Sequence, residues 1–419
     1  MKLKKRQIVF LEPFPTVMLY KIAKLFREKG YETVLIKLLK CEGASNEFHT
    51  AAFDKIISFE LNFFKISLKN LPMMFMFLIT QFRDLLKASF LCFKLKPYAV
   101  IARSSSNWPI AIARILVRKA PFIYFPYDIR AQTFDSYERA KKLWGVPWFE
   151  IKAERFCFES ADGLIHKGRP DELEFLEGRS IGTNIKFPKI QINIFPYSSK
   201  EFMVPINKNK LSKKDNELHL VYVGSMGTVG PSGAEYVFDN IYHFIKQGIH
   251  VHLYTRPNSV SKDKVKEFFE EDSGFTRKYK DILESKYFHL HVPLEPDELA
   301  AGISQYDFGF WPSPVKSDYD IEPTMAMGNK LSSYIEAGIP FICSKINDFI
   351  VKVGEDYGVV FSYDLTNEEE MKNLKKNLDK IDKKKLAEDM KYAREDFLME
   401  KHFPRFEKFV KKVVENKKK

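Results

Sequence analysis

Short apolar runs alternate with helical patterns along the whole chain, and this alternation predicts a parallel α/β architecture. The chain opens with an apolar run at 7–11, helical spacing over 17–28 with Gly30 as its stop, and a second run at 33–36. The remaining predicted strands are 56–59, 99–102, 122–125, 164–165 and 192–195, then 218–223, 250–254, 288–292, 308–311, 341–344 and 359–362. Strands that alternate with helices are typical of doubly wound sheets.

Two such series indicate an α/β fold of two Rossmann-like, doubly wound domains that face a central cleft. A chain of 419 residues is also too long for one ordinary core. The segment 207–216 is rich in Lys and Asn and predicts the linker. We therefore expect an N-terminal domain over 1–206, a C-terminal domain over 217–395, and a last helix over 396–419.

Composition and charge restrict the functional classes. The four cysteines form no C-x-x-C pair, so neither a zinc site nor a disulfide framework is indicated, and a reducing cytoplasm is expected. No apolar run reaches the ~18 residues needed to span a bilayer. The net charge of +12 is spread along the chain without a nucleic-acid motif, which argues against nucleic acid and fits phosphorylated substrates or an anionic membrane.

The stretch 328–342 carries the strongest local signal. It reads G-N-K-L-S-S-Y-I-E-A-G-I-P-F-I, which predicts a tight loop, a short helix ended by Gly338, and a buried strand. The free N–H groups of a helix start attract anions, and Lys330 adds a positive charge beside Asn329. An ordinary αβ unit without ligand is the alternative interpretation.

Three segments together resemble the donor domain of GT-B glycosyltransferases. Residues 329–340 resemble the signature N-K-L-x-x-Y-x-x-A-G-x-P, residues 306–313 resemble Y-D-x-G-x-x-P-S, and 218–227 resemble the first strand and its glycine loop. The resemblance implies transfer of a sugar from a UDP- or GDP-linked donor to a glycan or lipid-linked acceptor. It also implies retention at the anomeric carbon, no metal and no cofactor besides the nucleotide sugar, and a last helix that returns to the N-terminal domain.

Loops after the strands of the second half supply the expected donor-binding residues. Glycine loops let backbone amides approach a phosphate, and a guanidinium binds phosphate oxygens in a bidentate way. Our candidates for donor binding are Gly224, Ser225, Gly227, Thr228, Arg256, Ser313, Glu322, Asn329 and Lys330. The alternatives are a flexible turn for the glycine loop, a solvated loop arginine for Arg256 and a solvated acidic loop for the segment around Glu322. The acidic residues near Glu322 match no metal-ligand spacing.

Loops of the first half supply the expected acceptor side. Arg103, Ser104 and Asn107 follow one predicted strand and open a helix. Asp128 and His166 follow the next two predicted strands and are candidates for a catalytic acid or base. A lone histidine after a strand is also commonly structural.

Four positions depart from the resemblance. Most retaining enzymes with this signature carry glutamates where this chain has Met325 and Ser333. The family also often carries Arg and Lys in the first glycine loop, where this chain has Ser225 and Gly230. The alternative function is therefore a non-catalytic, sugar-nucleotide-binding GT-B subunit or a sugar-nucleotide epimerase.

The segment 63–96 combines many large apolar residues with interspersed lysines and an arginine. A surface helix with aromatic residues and cations can lie in a lipid interface. We therefore expect contact with the inner, anionic face of a membrane, with burial of the apolar residues under the sheet as the alternative.

Overall fold

The chain forms two compact units in a computed structural model. Residues Met1–Phe195 and His402–Lys419 make the first unit, and Pro196–Lys401 make the second. The structure describes residues 6–12, 16–39, 45–61, 83, 86–87, 90–91, 94–104, 107–127, 129, 137–178, 185–226, 234–257, 260–312 and 327–418.

Every strand expected from the apolar runs is present in the described residues. The first unit holds β1 Gln7–Glu12, β2 Glu32–Leu39, β3 Lys55–Leu61, β4 Ala99–Ser104, β5 Phe122–Pro126, β6 Gly163–His166 and β7 Gln191–Asn193. The second unit holds β8 His219–Met226, β9 His250–Pro257, β10 Phe288–His291, β11 Phe308–Trp311, β12 Phe341–Ser344 and β13 Val360–Tyr363.

Helices connect these strands throughout the described residues. In the first unit they are α1 Val17–Glu28, α2 Ser45–Thr50, α3 Asn107–Leu116, α4 Tyr137–Trp144, α5 Trp148–Ser160 and α6 Glu172–Gly178. The second unit contributes α7 Ser212–Asp215, α8 Ala234–Ile245, α9 Val265–Glu270, α10 Gly274–Lys278, α11 Lys280–Leu283, α12 Pro296–Ile303, α13 Lys330–Ala337, α14 Asp348–Asp356, α15 Glu368–Lys372, α16 Leu374–Asp379 and α17 Lys383–Asp396. The last helix is α18 Met399–Lys418.

Both sheets are parallel and doubly wound. The strand order is β3-β2-β1-β4-β5-β6-β7 in the first unit and β10-β9-β8-β11-β12-β13 in the second. In each order the first strand of the unit lies inside the sheet, and the chain moves outward from it in both directions. This reversal leaves a crevice at the carboxyl ends of β1 and β4, and of β8 and β11, where open α/β sheets bind ligands.

The last helix packs within the first unit although it follows the second in sequence. Phe403 lies edge-on to Phe26 of α1, with ring centroids 4.9 Å apart. A Cβ on Gly163 would lie 2.5 Å from Val413, so glycine permits the close approach of α18 to β6. Lys417 also pairs with Asp162 at 2.9 Å.

The segment 207–216, which the sequence suggests as a linker, is tied to the second unit. Lys210 donates to the carbonyl of Ser304 at 2.7 Å, and Ser212 donates to Asp307 at 2.5 Å. The boundary between the two units lies between Phe195 and Pro196, which precedes that segment in the sequence.

Among the described residues, no helix has both the length and the apolar character needed to cross a bilayer. Most of the segment 63–96, expected to contact a membrane, lies outside the described residues. The described helical positions within it include Phe90, which is 65% exposed, and Leu86.

Candidate functional site

The crevice of the second unit brings together the residues that the signature stretch predicts. Lys330 is the first residue of α13, and Gly338 ends this helix in the left-handed conformation at φ 67°. Gly224, near the end of β8, has φ 134°, which favours glycine. A Cβ on Gly224 would lie 3.1 Å from Cε of Lys330, so the bare backbone of Gly224 lets the lysine stem lie against it.

Lys330 is a half-buried cation that lies between two aromatic rings. Its Nζ lies 5.1 Å from the ring centroid of Tyr222 and 5.3 Å from that of Trp311. Such rings stabilise a cation through their electron-rich faces. Within the described ranges Lys330 has no carboxylate partner, and burial lowers its pKa to about 8. The site therefore holds a positive charge at a helix start, where an anion would be bound favourably.

The glycine before α13 is also fixed by packing. A Cβ on Gly328 would lie 2.8 Å from the Trp311 ring, so a side chain there would displace the tryptophan. Asn329 precedes Lys330 and makes no side-chain cap to the helix. Its carbonyl accepts a hydrogen bond from the hydroxyl of Ser332 at 2.7 Å.

The remaining predicted donor-binding residues are described only in part. Ser225 and Arg256 are register partners at the carboxyl ends of β8 and β9. The hydroxyl of Thr255 on β9 donates a hydrogen bond to the carbonyl of Gly224 on β8 at 2.7 Å. This bond holds the carboxyl ends of the two strands together, where the loop after β8 begins. Gly227, Thr228, Ser313 and Glu322 lie outside the described residues.

Tyr222 and Trp311 belong to this candidate site but were missed in the sequence. Both occur inside apolar strands, where an aromatic residue is ordinary core. Only the pairing of β8 with β11 places both of them next to Lys330.

The crevice of the first unit contains a buried acid and a buried cation. Glu12 ends β1 and Arg103 lies near the end of β4, and their side chains are fully buried, 3.8 Å apart. Burial raises the pKa of Glu12 to about 8, although the charge of Arg103 acts in the opposite direction. Neither carboxyl oxygen of Glu12 has a hydrogen-bond partner in the described part of the chain. Such a carboxyl holds a proton near neutral pH and can exchange it.

A tyrosine beside this pair contacts two cations. The guanidinium carbon of Arg103 lies 3.9 Å from the ring centroid of Tyr127, and Nζ of Lys167 lies 3.5 Å from it. The backbone N–H of Tyr127 donates to the carbonyl of Ser104 at 3.1 Å. The loops after β4, β5 and β6 therefore meet at one edge, as the sequence predicts, and they present positive charge there.

His166, at the end of β6, is held by a carboxylate. Its Nδ1 lies 2.6 Å from Glu172, which also accepts from the backbone N–H of Gly168 at 3.1 Å. The amide of Asn193 lies 3.1 Å from the same Nδ1. Because a carboxylate accepts only, Nδ1 of His166 carries a proton that it donates to Glu172, which fixes the orientation of the ring.

The other predicted residues of this unit either form hydrogen bonds within the unit or lie outside the described residues. The hydroxyl of Tyr124 donates to Asn107 at 2.6 Å and lies 3.2 Å from the hydroxyl of Ser104. The backbone N–H of Asn107 donates to Glu150 at 2.7 Å. These bonds engage Ser104 and Asn107 within the unit, whereas Asp128 lies outside the described residues.

Two of the positions that depart from the signature, Ser333 and Met325, carry no carboxylate of their own. Ser333 lies on α13, with its hydroxyl 3.5 Å from the carbonyl of Asn329, and Met325 lies outside the described residues. Glu336, on the same helix, is buried and accepts from the backbone N–H of Ser199 at 2.9 Å. Glu336 is therefore a structural group that ties the segment after β7 to α13.

The fold is that of the GT-B glycosyltransferases, as expected from the three resembling segments. The chain is similar to sucrose-phosphate synthase from Thermosynechococcus elongatus, with TM-score 0.67, 11% identity, and coverage of 98% of this chain and 100% of that one. It is also similar to the lipopolysaccharide outer core galactosyltransferase WaaB, with TM-score 0.56, 12% identity, and coverage of 96% and 99%.

A third similar structure is UGT2 from Phytolacca americana, solved with UDP-2-fluoro-glucose and pterostilbene. It matches at TM-score 0.51 and 12% identity, over 99% of this chain and all of that one. No protein-family model and no curated protein sequence matches the chain. At these identities the comparisons establish the fold.

Proposed function

We propose that the protein is a glycosyltransferase that moves a sugar from a nucleotide-diphosphate donor to a glycan or lipid-linked acceptor in polysaccharide or glycolipid synthesis. The observation that carries the proposal is Lys330 at the start of α13, in contact range of the Gly224 backbone. The shared fold with three glycosyltransferases, one of them solved with a UDP-sugar analogue, supports the same reading.

The chemistry required of the second unit is stabilisation of a leaving diphosphate. As the bond between sugar and diphosphate breaks, negative charge grows on the phosphate oxygens. The N-terminal dipole of α13 and the ammonium of Lys330 would offset this charge from fixed positions. The ring faces of Tyr222 and Trp311 hold the ammonium in place, so little reorganisation is needed during the reaction. A metal ion is not required for this step.

The first unit is assigned to the acceptor. Its edge offers His166, oriented by Glu172, and Glu12, whose pKa near 8 suits proton exchange. Asp128 remains a candidate acid or base from the sequence. Arg103 and Lys167 supply positive charge that suits a phosphorylated or lipid-linked acceptor. The resemblance of residues 329–340 to the glycosyltransferase signature supports retention of configuration at the anomeric carbon.

Membrane contact is proposed for the helical segment that includes Phe90. Leu86 and Phe90 are exposed apolar side chains, and the cations Arg83, Lys87 and Lys94 are exposed around them. Exposed apolar side chains with cations beside them suit an anionic lipid surface at the cytoplasmic side of a membrane.

The test is turnover on a panel of UDP- and GDP-linked sugars, with release of UDP or GDP as the readout. Steady release that increases with a glycan or lipid-linked acceptor, and persists in EDTA, is the expected result. Proton NMR of the early product reports the configuration at the anomeric carbon. The proposal would be refuted if the protein bound none of these donors and released no UDP or GDP from any of them.

A non-catalytic or epimerase function is the second candidate, and Ser333 in place of a glutamate favours it. Two results would distinguish these functions from glycosyl transfer. A binding subunit would be stabilised against heat by a nucleotide sugar without releasing nucleotide. An epimerase would release UDP from a UDP-linked sugar without need of an acceptor, or would convert one nucleotide sugar into another.

A further inference from the structure

Two rows of hydrogen-bonded histidines cross three neighbouring strands of the sheet of the second unit. His219 lies at the start of β8, His250 and His252 on β9, and His289 and His291 on β10. Their side chains share one face, because positions two apart on a strand point the same way. Gly224 lies five residues after His219 on β8, which places His219 about 16 Å from Gly224 at 3.3 Å per residue.

The first row begins at a carboxylate and runs through three imidazoles. Nε2 of His219 lies 2.9 Å from Asp215, and Nδ1 of His219 lies 2.9 Å from Nε2 of His252. Nδ1 of His252 then lies 3.0 Å from Nε2 of His291. A carboxylate accepts only, so His219 donates from Nε2, and each following ring must donate from Nε2 as well.

The second row repeats this arrangement beside the first. Nε2 of His250 lies 2.6 Å from Glu217, and Nδ1 of His250 lies 2.8 Å from Nε2 of His289. The rings of His219 and His250 stack at 4.5 Å with an angle of 8° between their planes. Both rows therefore present an Nε2 atom and a carboxylate at the same end.

We propose that Asp215, His219 and His250 bind a divalent transition-metal ion of the Zn²⁺ class, with Glu217 beside them as a further ligand. One ligand atom from each of the three lies within 4.8 Å of the others. Imidazole nitrogen and carboxylate oxygen bind Zn²⁺ at about 2.0–2.2 Å, so the atoms must approach one another by roughly 1 Å. Asp215 is 42% exposed and Glu217 is 33% exposed, so these side chains can rotate toward a common ion. The stacked rings of His219 and His250 have nearly parallel planes and must also tilt for their Nε2 lone pairs to converge.

The hydrogen bonds between the rings are kept when such an ion binds, while coordination replaces the bonds from Nε2 of His219 to Asp215 and from Nε2 of His250 to Glu217. When the metal takes Nε2 of His219, the proton of that ring must lie on Nδ1 and be donated to His252. His252 then donates from Nδ1 to His291, whose proton also moves to Nδ1. Each of these rings then carries its proton on Nδ1, and the bonds between the rings remain with their direction reversed. The rings behind the ligands thus act as the hydrogen-bond partners that orient metal-binding histidines.

Cobalt spectroscopy on the metal-free full chain tests the site. One equivalent of Co²⁺ should give visible absorption of low-coordinate cobalt, and Zn²⁺ should remove it by competition. The double variant Asp215→Ala, Glu217→Gln should weaken binding by at least about tenfold, the minimum effect expected when partners of a metal site are removed. Asp263→Ala, which removes an exposed carboxylate of the same unit, should leave binding unchanged.

A second readout addresses the histidines. Nitrogen-15 NMR of the imidazoles should show Nε2–H tautomers without metal and a shift to Nδ1–H in His219 and His252 when Zn²⁺ binds. His250→Gln should abolish the cobalt absorption, whereas His243→Gln on α8 should not. Equal Co²⁺ binding in wild type and the double variant, or no absorption in a folded wild-type protein, would overturn the proposal.

Discussion

The half-buried ammonium of Lys330 should make anion binding by the second unit depend on pH. Its pKa is lowered to about 8 by burial, so the side chain is charged below that pH and loses its charge as the pH rises through it. The dissociation constant for UDP or GDP should therefore be nearly constant below pH 8. It should then rise toward tenfold per pH unit above pH 8, because only the charged form binds well.

Lys330→Arg is the control for this dependence, since a guanidinium stays charged throughout the range. Calorimetric titration of the variant between pH 7 and 9.5 should give a flat profile. A wild-type profile that is equally flat would show that the charge of Lys330 plays no part in binding.

Glu12 should make the stability of the first unit fall as the pH rises. Its folded pKa of about 8 exceeds the ordinary value of 4.5 because burial disfavours the carboxylate. The folded state therefore holds a proton that the unfolded state has lost between pH 4.5 and 8. The stabilisation is present below pH 4.5 and is lost toward pH 8, at a rate of at most about 1.4 kcal/mol per pH unit.

Glu12→Gln removes this titration and keeps the shape of the side chain. Urea unfolding at pH 5, 6.5 and 8 should show the variant gaining stability relative to wild type as the pH rises. A constant difference between the two proteins at all three pH values would mean that Glu12 does not titrate in this range.

Single residues were predictable where a local signal marked them. Gly328, Lys330 and Gly338 lie in one stretch whose glycines, cation and proline define a helix and both its ends. Glu12 gave no such signal, because an acid after an apolar strand is ordinary in sequence. Its burial depends on Arg103, which is 91 positions away and arrives through the pairing of β1 with β4.

At the scale of the elements, the packing of α13 on β11 depends on the absence of a side chain at Gly309. A Cβ on Gly309 would lie 2.5 Å from the ring of Tyr334, whose hydroxyl donates to the carbonyl of Phe310 at 2.8 Å. Gly309→Ala should therefore destabilise the protein by about 1–3 kcal/mol, the usual cost of overpacking. Because Lys330 begins the same helix, affinity for UDP or GDP should fall as well.

Gly274→Ala is the matched control, because a Cβ at that position meets nothing within 4 Å. Thermal unfolding should leave this variant close to wild type. A Gly309→Ala protein as stable as the Gly274→Ala protein would contradict the packing described for α13.

Strands were more predictable than short helices and side-chain clusters. Each predicted apolar run corresponds to a strand, since a buried parallel strand is apolar on both faces. The helix Ser212–Asp215 lies in a polar segment that resembled a linker. The histidine rows escaped notice because their members are spread over 73 positions, from His219 to His291, and only the strand register aligns them.

For the whole molecule, alternation of strand and helix was sufficient to predict two doubly wound sheets. The three resembling segments were sufficient to predict the GT-B fold, although no family model or curated sequence matches. Substrate identity could not be read in this way. It depends on side chains that meet only through the strand order, such as Tyr222 and Trp311 beside Lys330.

The most direct test of the central claim is calorimetric titration of UDP and GDP into wild type, Lys330→Ala and Lys352→Ala at pH 7. Lys352 is an exposed lysine of the same unit and serves as the control. One nucleotide should bind to the wild type and to Lys352→Ala with equal affinity. Loss of the half-buried charge in Lys330→Ala should weaken binding by about 10- to 100-fold, the value of a hydrogen bond to a charged group. Equal affinity of Lys330→Ala and wild type, or no binding of either nucleotide, would contradict the account.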